Sequence, residues 1–373
     1  MVNHQITDDK GNRHYINEKI GTDGQGDLYS TKNSDVLVRI ASDNINQDLY
    51  NNVELLPVSD IKNLLMPDAY LKEPNRGHTI CIPPGYVTLD TLKAGGLKRR
   101  LNILINLSRT LTKLHALPVM YGSMSPSRIL ISSKPTVGEA YLLYSAKMDF
   151  FTRFTKDNDS DPYIAPEVKN GQGGTLASDS YTFGALAYDF LSQVGEIPEM
   201  LKALLDRCRL SPTERPKINE LYRAFLAQLD LLLSCKKCQT DFNYESTECP
   251  NCQVPAPKML RATIYDEIDE ETKIERGVKV LEFTANRQSF RNYHTDIVLL
   301  DDEFESRIDC LLNISADRKL HLVLKNLMDK EMIVNEKLVP GGTGVILALP
   351  CELIHISFPL YLATTRCIDM VMV

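Results

Sequence analysis

No stretch of about 18 consecutive apolar residues occurs in this 373-residue chain, so a helix that crosses a membrane is not expected. The opening Met1-Val2-Asn3-His4-Gln5-Ile6 lacks a basic region followed by an apolar run, so the expected location is the cytoplasm. Positive charge is scarce as well: 42 Lys and Arg stand against 49 Asp and Glu, a formal net charge of -7. That balance excludes a basic footprint for nucleic acid and a polybasic membrane segment. Disulfide spacing is also lacking. Of nine cysteines, four sit in paired Cys-x-x-Cys motifs and the others are scattered among apolar neighbours, which points to reduced thiols and one metal site. What is present is 43% apolar and 24% charged, enough to bury sizeable cores in two or three domains.

The most informative stretch is Tyr121-Gly122-Ser123-Met124-Ser125-Pro126-Ser127-Arg128-Ile129-Leu130-Ile131. It resembles the catalytic loop of protein kinases, in which an Asp takes the substrate hydroxyl proton and an Asn holds the second magnesium. Ser123 stands at the Asp position and Arg128 at the Asn position. A hydroxyl is no base at neutral pH, and a fixed cation repels a metal ion. The loop therefore reads as scaffold without its chemistry.

Upstream, Ile20-Gly21-Thr22-Asp23-Gly24-Gln25-Gly26-Asp27-Leu28-Tyr29 lies between two β-type runs. It is similar to a kinase glycine-rich loop, where glycine lets backbone amides approach phosphates; a plain hairpin is the other reading. The resemblance implies a nucleotide cleft at Gly21, Gly24, Gly26, Leu28 and Arg39. Asp23 and Asp27 would oppose a triphosphate there. Arg39, in Asp35-Val36-Leu37-Val38-Arg39-Ile40-Ala41, occupies the place of the phosphate-bridging lysine. It retains the charge without the point contact, or else it snorkels or pairs with a carboxylate such as Glu54.

Leucines 97, 101, 104, 107, 111 and 114 recur at three- and four-residue steps, predicting an amphipathic helix that leads into the loop. After two strand-like runs, the magnesium-binding Asp-Phe-Gly position reads Tyr144-Ser145-Ala146; a slipped alternative is Asp149-Phe150-Phe151. Downstream, Ala165-Pro166-Glu167 resembles the end of an activation segment. Ser178-Asp179-Ser180-Tyr181 resembles the start of a buried helix whose Asp179 bonds the loop backbone, and Arg215 in Ser211-Pro212-Thr213-Glu214-Arg215-Pro216 supplies the partner of Glu167. The framework residues Glu167, Asp179 and Arg215 are kept, and the reactive ones at Arg39, Ser123, Arg128 and Tyr144 are substituted.

Cys235-Lys236-Lys237-Cys238 and Cys249-Pro250-Asn251-Cys252 are two knuckles whose spacing fits four-thiolate coordination of structural Zn(II), with redox or regulatory use as the alternative. Beyond residue 275, short Val-, Ile- and Leu-rich runs broken by turn residues predict an all-β sandwich. Within it, Thr295 to Asp302 with Ser306-Arg307, and Ile333-Val334-Asn335-Glu336-Lys337-Leu338, are similar to forkhead-associated domains. That resemblance implies phosphothreonine binding by Arg287 and Ser306, weakened by Asp301, Asp302, Glu303 and Glu305.

The expected fold class is thus multidomain α+β: a two-lobed protein-kinase-like domain at 12–230, a zinc ribbon at 231–257 and a forkhead-associated-like β-sandwich at 258–373. The kinase part resembles the bacterial kinase-like proteins of tellurite-resistance-type modules, which accompany a von Willebrand A-type protein and a metal-dependent phosphatase. The resemblance implies a pseudokinase scaffold or regulator, with zinc but without ATP and magnesium as cofactors. Its expected partners are proteins: one of those two, or a phosphoprotein. The alternative is an unorthodox ATP-dependent kinase that has moved a metal ligand to Asp149.

Overall fold

A computed structural model describes residues 5–23, 26–41, 56–92, 95–122, 124–145, 147–150, 162–269, 271–282, 288–289, 308–314, 320–359 and 365–373. The chain divides once, into a unit at Met1–Phe225 and a unit at Leu226–Val373.

In the first unit, a six-stranded antiparallel sheet is ordered Gln5–Thr7, Arg13–Asp23, Gly26–Thr31, Val36–Ala41, Gly77–Cys81, Ala69–Tyr70. Burial alternates along the first four residues of Gly26–Thr31, as a half-buried strand requires, whereas Gly77–Cys81 is buried along most of its length. A second sheet is ordered Leu64–Leu65, Ala140–Leu143, Ile129–Ser132, Tyr86–Thr88, with the first pair parallel. Helix α1 spans Leu97–Ala116, buries leucines 101, 104, 107, 111 and 114, and stops before Pro118. The short α2 is Pro166–Lys169. Helix α3, Leu176–Ser192, opens on a capping box: Thr175 Oγ1 accepts from Ser178 N while Ser178 Oγ accepts from Thr175 N. Helices α4, Glu199–Arg207, and α5, Ile218–Asp230, follow.

The expectation of a multidomain α+β chain built on a two-lobed kinase-like fold is corrected here. The described residues form 24 strands and five α-helices, and the contacts show no division inside Met1–Phe225. The physical reason is a shared core: Leu28, Leu37, Ile80 and Ile82 of the early strands pack in one cluster with Leu130 and Leu143 of the later ones. Apolar burial across that junction merges what would be two lobes.

The second unit begins at Leu226 with the end of α5, followed by a hairpin, Leu232–Ser234 against Asp241–Asn243, whose loop carries the first cysteine knuckle; the second knuckle, at 249–252, lies beyond it and is bracketed by the Glu248–Pro255 bridge. A six-stranded sheet follows in the order Lys273–Glu282, Met259–Glu267, Thr365–Met372, Ile354–Pro359, Met332–Val334, Lys337–Val339. A four-stranded sheet is ordered Gln288–Ser289, Ile308–Ile314, Leu320–Asn326, Gly344–Leu349. Leu260, Ile264 and Ile368 of the first share one core with Leu322, Leu324 and Leu349 of the second. A C-terminal β region is therefore present. Asn335 and Glu336 turn the Met332–Val339 hairpin at φ 44° and 65°, values that suit a primed two-residue turn. Among the described residues no helix is long and apolar enough to cross a membrane.

Candidate functional site

The cysteine cluster is assembled by two copies of one local device. In the first knuckle Gln239 N donates to Cys235 O at 2.9 Å and Cys235 N to Thr240 O at 2.9 Å. In the second, Gln253 N donates to Cys249 O at 2.9 Å and Cys249 N to Val254 O at 2.8 Å. Gln239 and Gln253 both adopt positive φ, 61° and 57°, which folds each chain back over its cysteine pair. The four Sγ atoms of Cys235, Cys238, Cys249 and Cys252 lie within 4.8 Å of one another. Sulfurs 3.5 Å apart, as in Cys235–Cys252 and Cys238–Cys249, are too distant for a disulfide and suit the edges of a tetrahedron around a metal ion. The four residues are thus close enough to hold one.

Electrostatics agree with that geometry. Hydrogen bonds from the Thr240 hydroxyl and amide bring the Cys238 thiol down to about 5. The amides of Cys238 and Lys237 lower Cys235. Cys252 goes the other way: the Val254 amide pulls it down, but burial and the three neighbouring thiols push it up to about 12. Thiolates packed this closely repel further ionisation until a cation offsets them. The cluster is also part of a core, since Cys235 and Cys249 are buried with Leu233, Phe242, Met259 and Val280.

In the first unit, the loop at 121–132 is held from behind by Asp179. Its carboxylate accepts from Tyr121 N at 2.7 Å and Gly122 N at 2.9 Å, and His115 Nε2 lies 3.0 Å from it. Gly122, at φ +82°, has Lys147 O where a Cβ would stand, so the close crossing needs glycine. Tyr121 Oη donates to Leu143 O at 2.6 Å. Glu167 receives a bidentate contact from Arg215, with Nη2 2.9 Å from Oε2, and a 2.9 Å bond from Ser178 Oγ. Burial opposes ionisation of Glu167, but those donors and its own amide outweigh it and hold the carboxyl below the usual range.

Of the substituted positions, Arg39, Arg128 and Tyr144 are filled by buried side chains. Arg39 is 1% exposed and lies in register with His78, whose ring meets Tyr144 edge-on at 5.5 Å. Arg128 is fully buried and donates to Ser145 Oγ at 2.9 Å. Ser145, the residue after Tyr144, is thus a buried partner of Arg128. Tyr144 N bonds Leu65 O at 2.8 Å, which continues the strand by one residue, and the side chains of both Tyr144 and Ser145 are buried. The sequence places both in one triplet. Asp149 pairs with Met120 in a two-residue ladder and accepts from Phe150 N at 2.8 Å. Asp27 accepts from Thr22 Oγ1 at 2.9 Å, Lys19 Nζ at 3.1 Å and Tyr29 Oη at 3.2 Å, all on its own hairpin. Gly21, Gly26 and Leu28 lie on that hairpin. Gly24, Glu54, Ser123, Arg287, Ser306 and the acidic residues at 301–305 lie outside the described residues.

No family model matches the chain. Over 126 residues it is 29% identical to ribosomal protein S6 kinase alpha-2 of Homo sapiens. Against ribosomal protein S6 kinase alpha-3 of Mus musculus the identity is 28%, also over 126 residues. Each match covers 30% of this chain and 17% of the relative, so the chain spans a small part of the curated relatives it matches. The likeness supports a kinase-like relation over that stretch.

Proposed function

We propose that this chain is a kinase-related protein that does not transfer phosphate and acts by holding or regulating partner proteins. The observation that carries this reading is Arg128, fully buried where the resemblance calls for a metal ligand, with its guanidinium 2.9 Å from Ser145 Oγ. Phosphoryl transfer needs carboxylate or amide oxygens on magnesium and a base on the nucleophile. A guanidinium beside a hydroxyl offers neither. The retained clamps, Asp179 on the loop backbone and Arg215 on Glu167, support a preserved shape as the useful feature. On this reading the partners are proteins of a phospho-signalling module, such as a von Willebrand A-type protein or a metal-dependent phosphatase. The ion at Cys235, Cys238, Cys249 and Cys252 is Zn(II) in a structural role, because four thiolates close the coordination shell and leave no position for substrate.

The test is incubation with γ-labelled ATP and magnesium, alone and with generic protein substrates. No label should transfer, and Ser123→Asp should not restore transfer. Autophosphorylation lost on Asp149→Ala would replace this reading with a working kinase whose metal ligand is Asp149.

A further inference from the structure

The glycine-rich hairpin and the loop at 121–132 touch each other directly. A methyl placed on Gly21 would lie 2.7 Å from Ser127 Cβ and 3.6 Å from its hydroxyl. Gly21 is therefore in van der Waals contact with the loop, with no thickness between them for a base or a phosphate. The same two sheets also share the cluster of Leu28, Leu37, Ile80, Ile82, Leu130 and Leu143, which draws the first sheet onto the second. Further in, the buried side chains of Arg39, His78 and Tyr144 stand in sequence across the same junction.

We infer that this junction is a permanent seal rather than a cleft: the unit takes up no nucleotide, and the Gly21–Ser127 contact is one of the joints that hold it shut. The inference rests on the proposed reading and goes past it, since a protein without phosphotransfer can still bind ATP. Opening the junction would part Leu28, Leu37, Ile80 and Ile82 from Leu130 and Leu143 and expose their facing surfaces to water, a loss that scales with the area uncovered. It would also bring two arginines, Arg39 and Arg128, out of the environments in which they are now buried. A nucleotide must offset both costs before it gains any affinity.

The seal makes a specific double-mutant test possible. Gly21 lies outside the left-handed region, so alanine there carries no backbone strain and its penalty comes from the contact. Gly21→Ala should lower the melting temperature of the full chain by roughly 2–10 °C, the range expected for overpacking. Ser127→Gly removes the opposing Cβ, so the double variant should recover most of the loss, measured against Ser127→Gly alone. An unchanged melting temperature in Gly21→Ala, or strictly additive losses, would overturn the seal. In parallel, the unmodified protein is titrated with a fluorescent ADP analogue and with ATP, each with and without magnesium. No saturable binding is expected up to millimolar nucleotide. Saturable binding without label transfer would sink the seal and leave the proposed function standing, whereas label transfer would sink the proposed function.

Discussion

The loop at 121–132 and the cysteine cluster are both tightly organised, yet they are stabilised from different sources. Around the loop the two framework carboxylates find their donors within the chain: Asp179 takes two backbone amides, and Glu167 takes Arg215 and Ser178. The cysteine cluster gathers four thiols close enough to hold a metal ion, and their ionised forms repel one another unless a cation offsets them. The first arrangement should survive metal removal and fail by mutation or acid. The second should fail on chelation. The comparison teaches that a preserved framework can be self-sufficient at one site and conditional at another within the same chain.

The largest expected effect tests the conditional half. Cys249→Ser, or treatment with a strong chelator, should remove a single bound ion per chain and about 10 kcal/mol of apparent binding energy. Elemental analysis and amide exchange across residues 232–282 read it, because Met259 and Val280 share the cysteines' core. Metal content unchanged in Cys249→Ser would break the comparison.

Next is Arg215→Ala, which leaves Glu167 buried without its guanidinium and should cost about 3–5 kcal/mol in denaturant unfolding, with metal content unaffected. A pH series sharpens the same point. The Glu167 carboxyl is held below its usual value, so its contribution is present above the unfolded pKa of about 4.3 and is lost as pH falls through the lower folded value. Melting temperature should therefore decline more steeply below about pH 4.3 in the unmodified protein than in Glu167→Gln. Equal slopes would show that the pair adds nothing.

Asp179→Ala leaves the amides of Tyr121 and Gly122 without their acceptor and should cost roughly 1.5–3 kcal/mol, again without metal loss. The smallest effect is Thr175→Ala, which deletes one half of the capping box at the start of α3 and should cost about 1 kcal/mol.

Much of this was legible before the structure because it is written in local rules. Two Cys-x-x-Cys pairs ten residues apart bring four thiols together through short turns, and leucines at three- and four-residue steps make α1 amphipathic wherever it packs. The Asp179, Glu167 and Arg215 positions were readable only because the resemblance supplied their partners, which are 57, 48 and 48 residues away in the chain. No propensity or periodicity spans such a distance.

What the chain alone determined, then, was which residues carry charge, thiol or apolar character and which short segments turn, coil or extend. Tertiary packing decided the rest. It merged the early and late strands of the first unit into one core, brought Ser145 onto Arg128, and brought Gly21 against Ser127. Each of these depends on how long-range burial balances against the separation of two surfaces. That balance is a sum over the whole core, and no local stretch of sequence contains it.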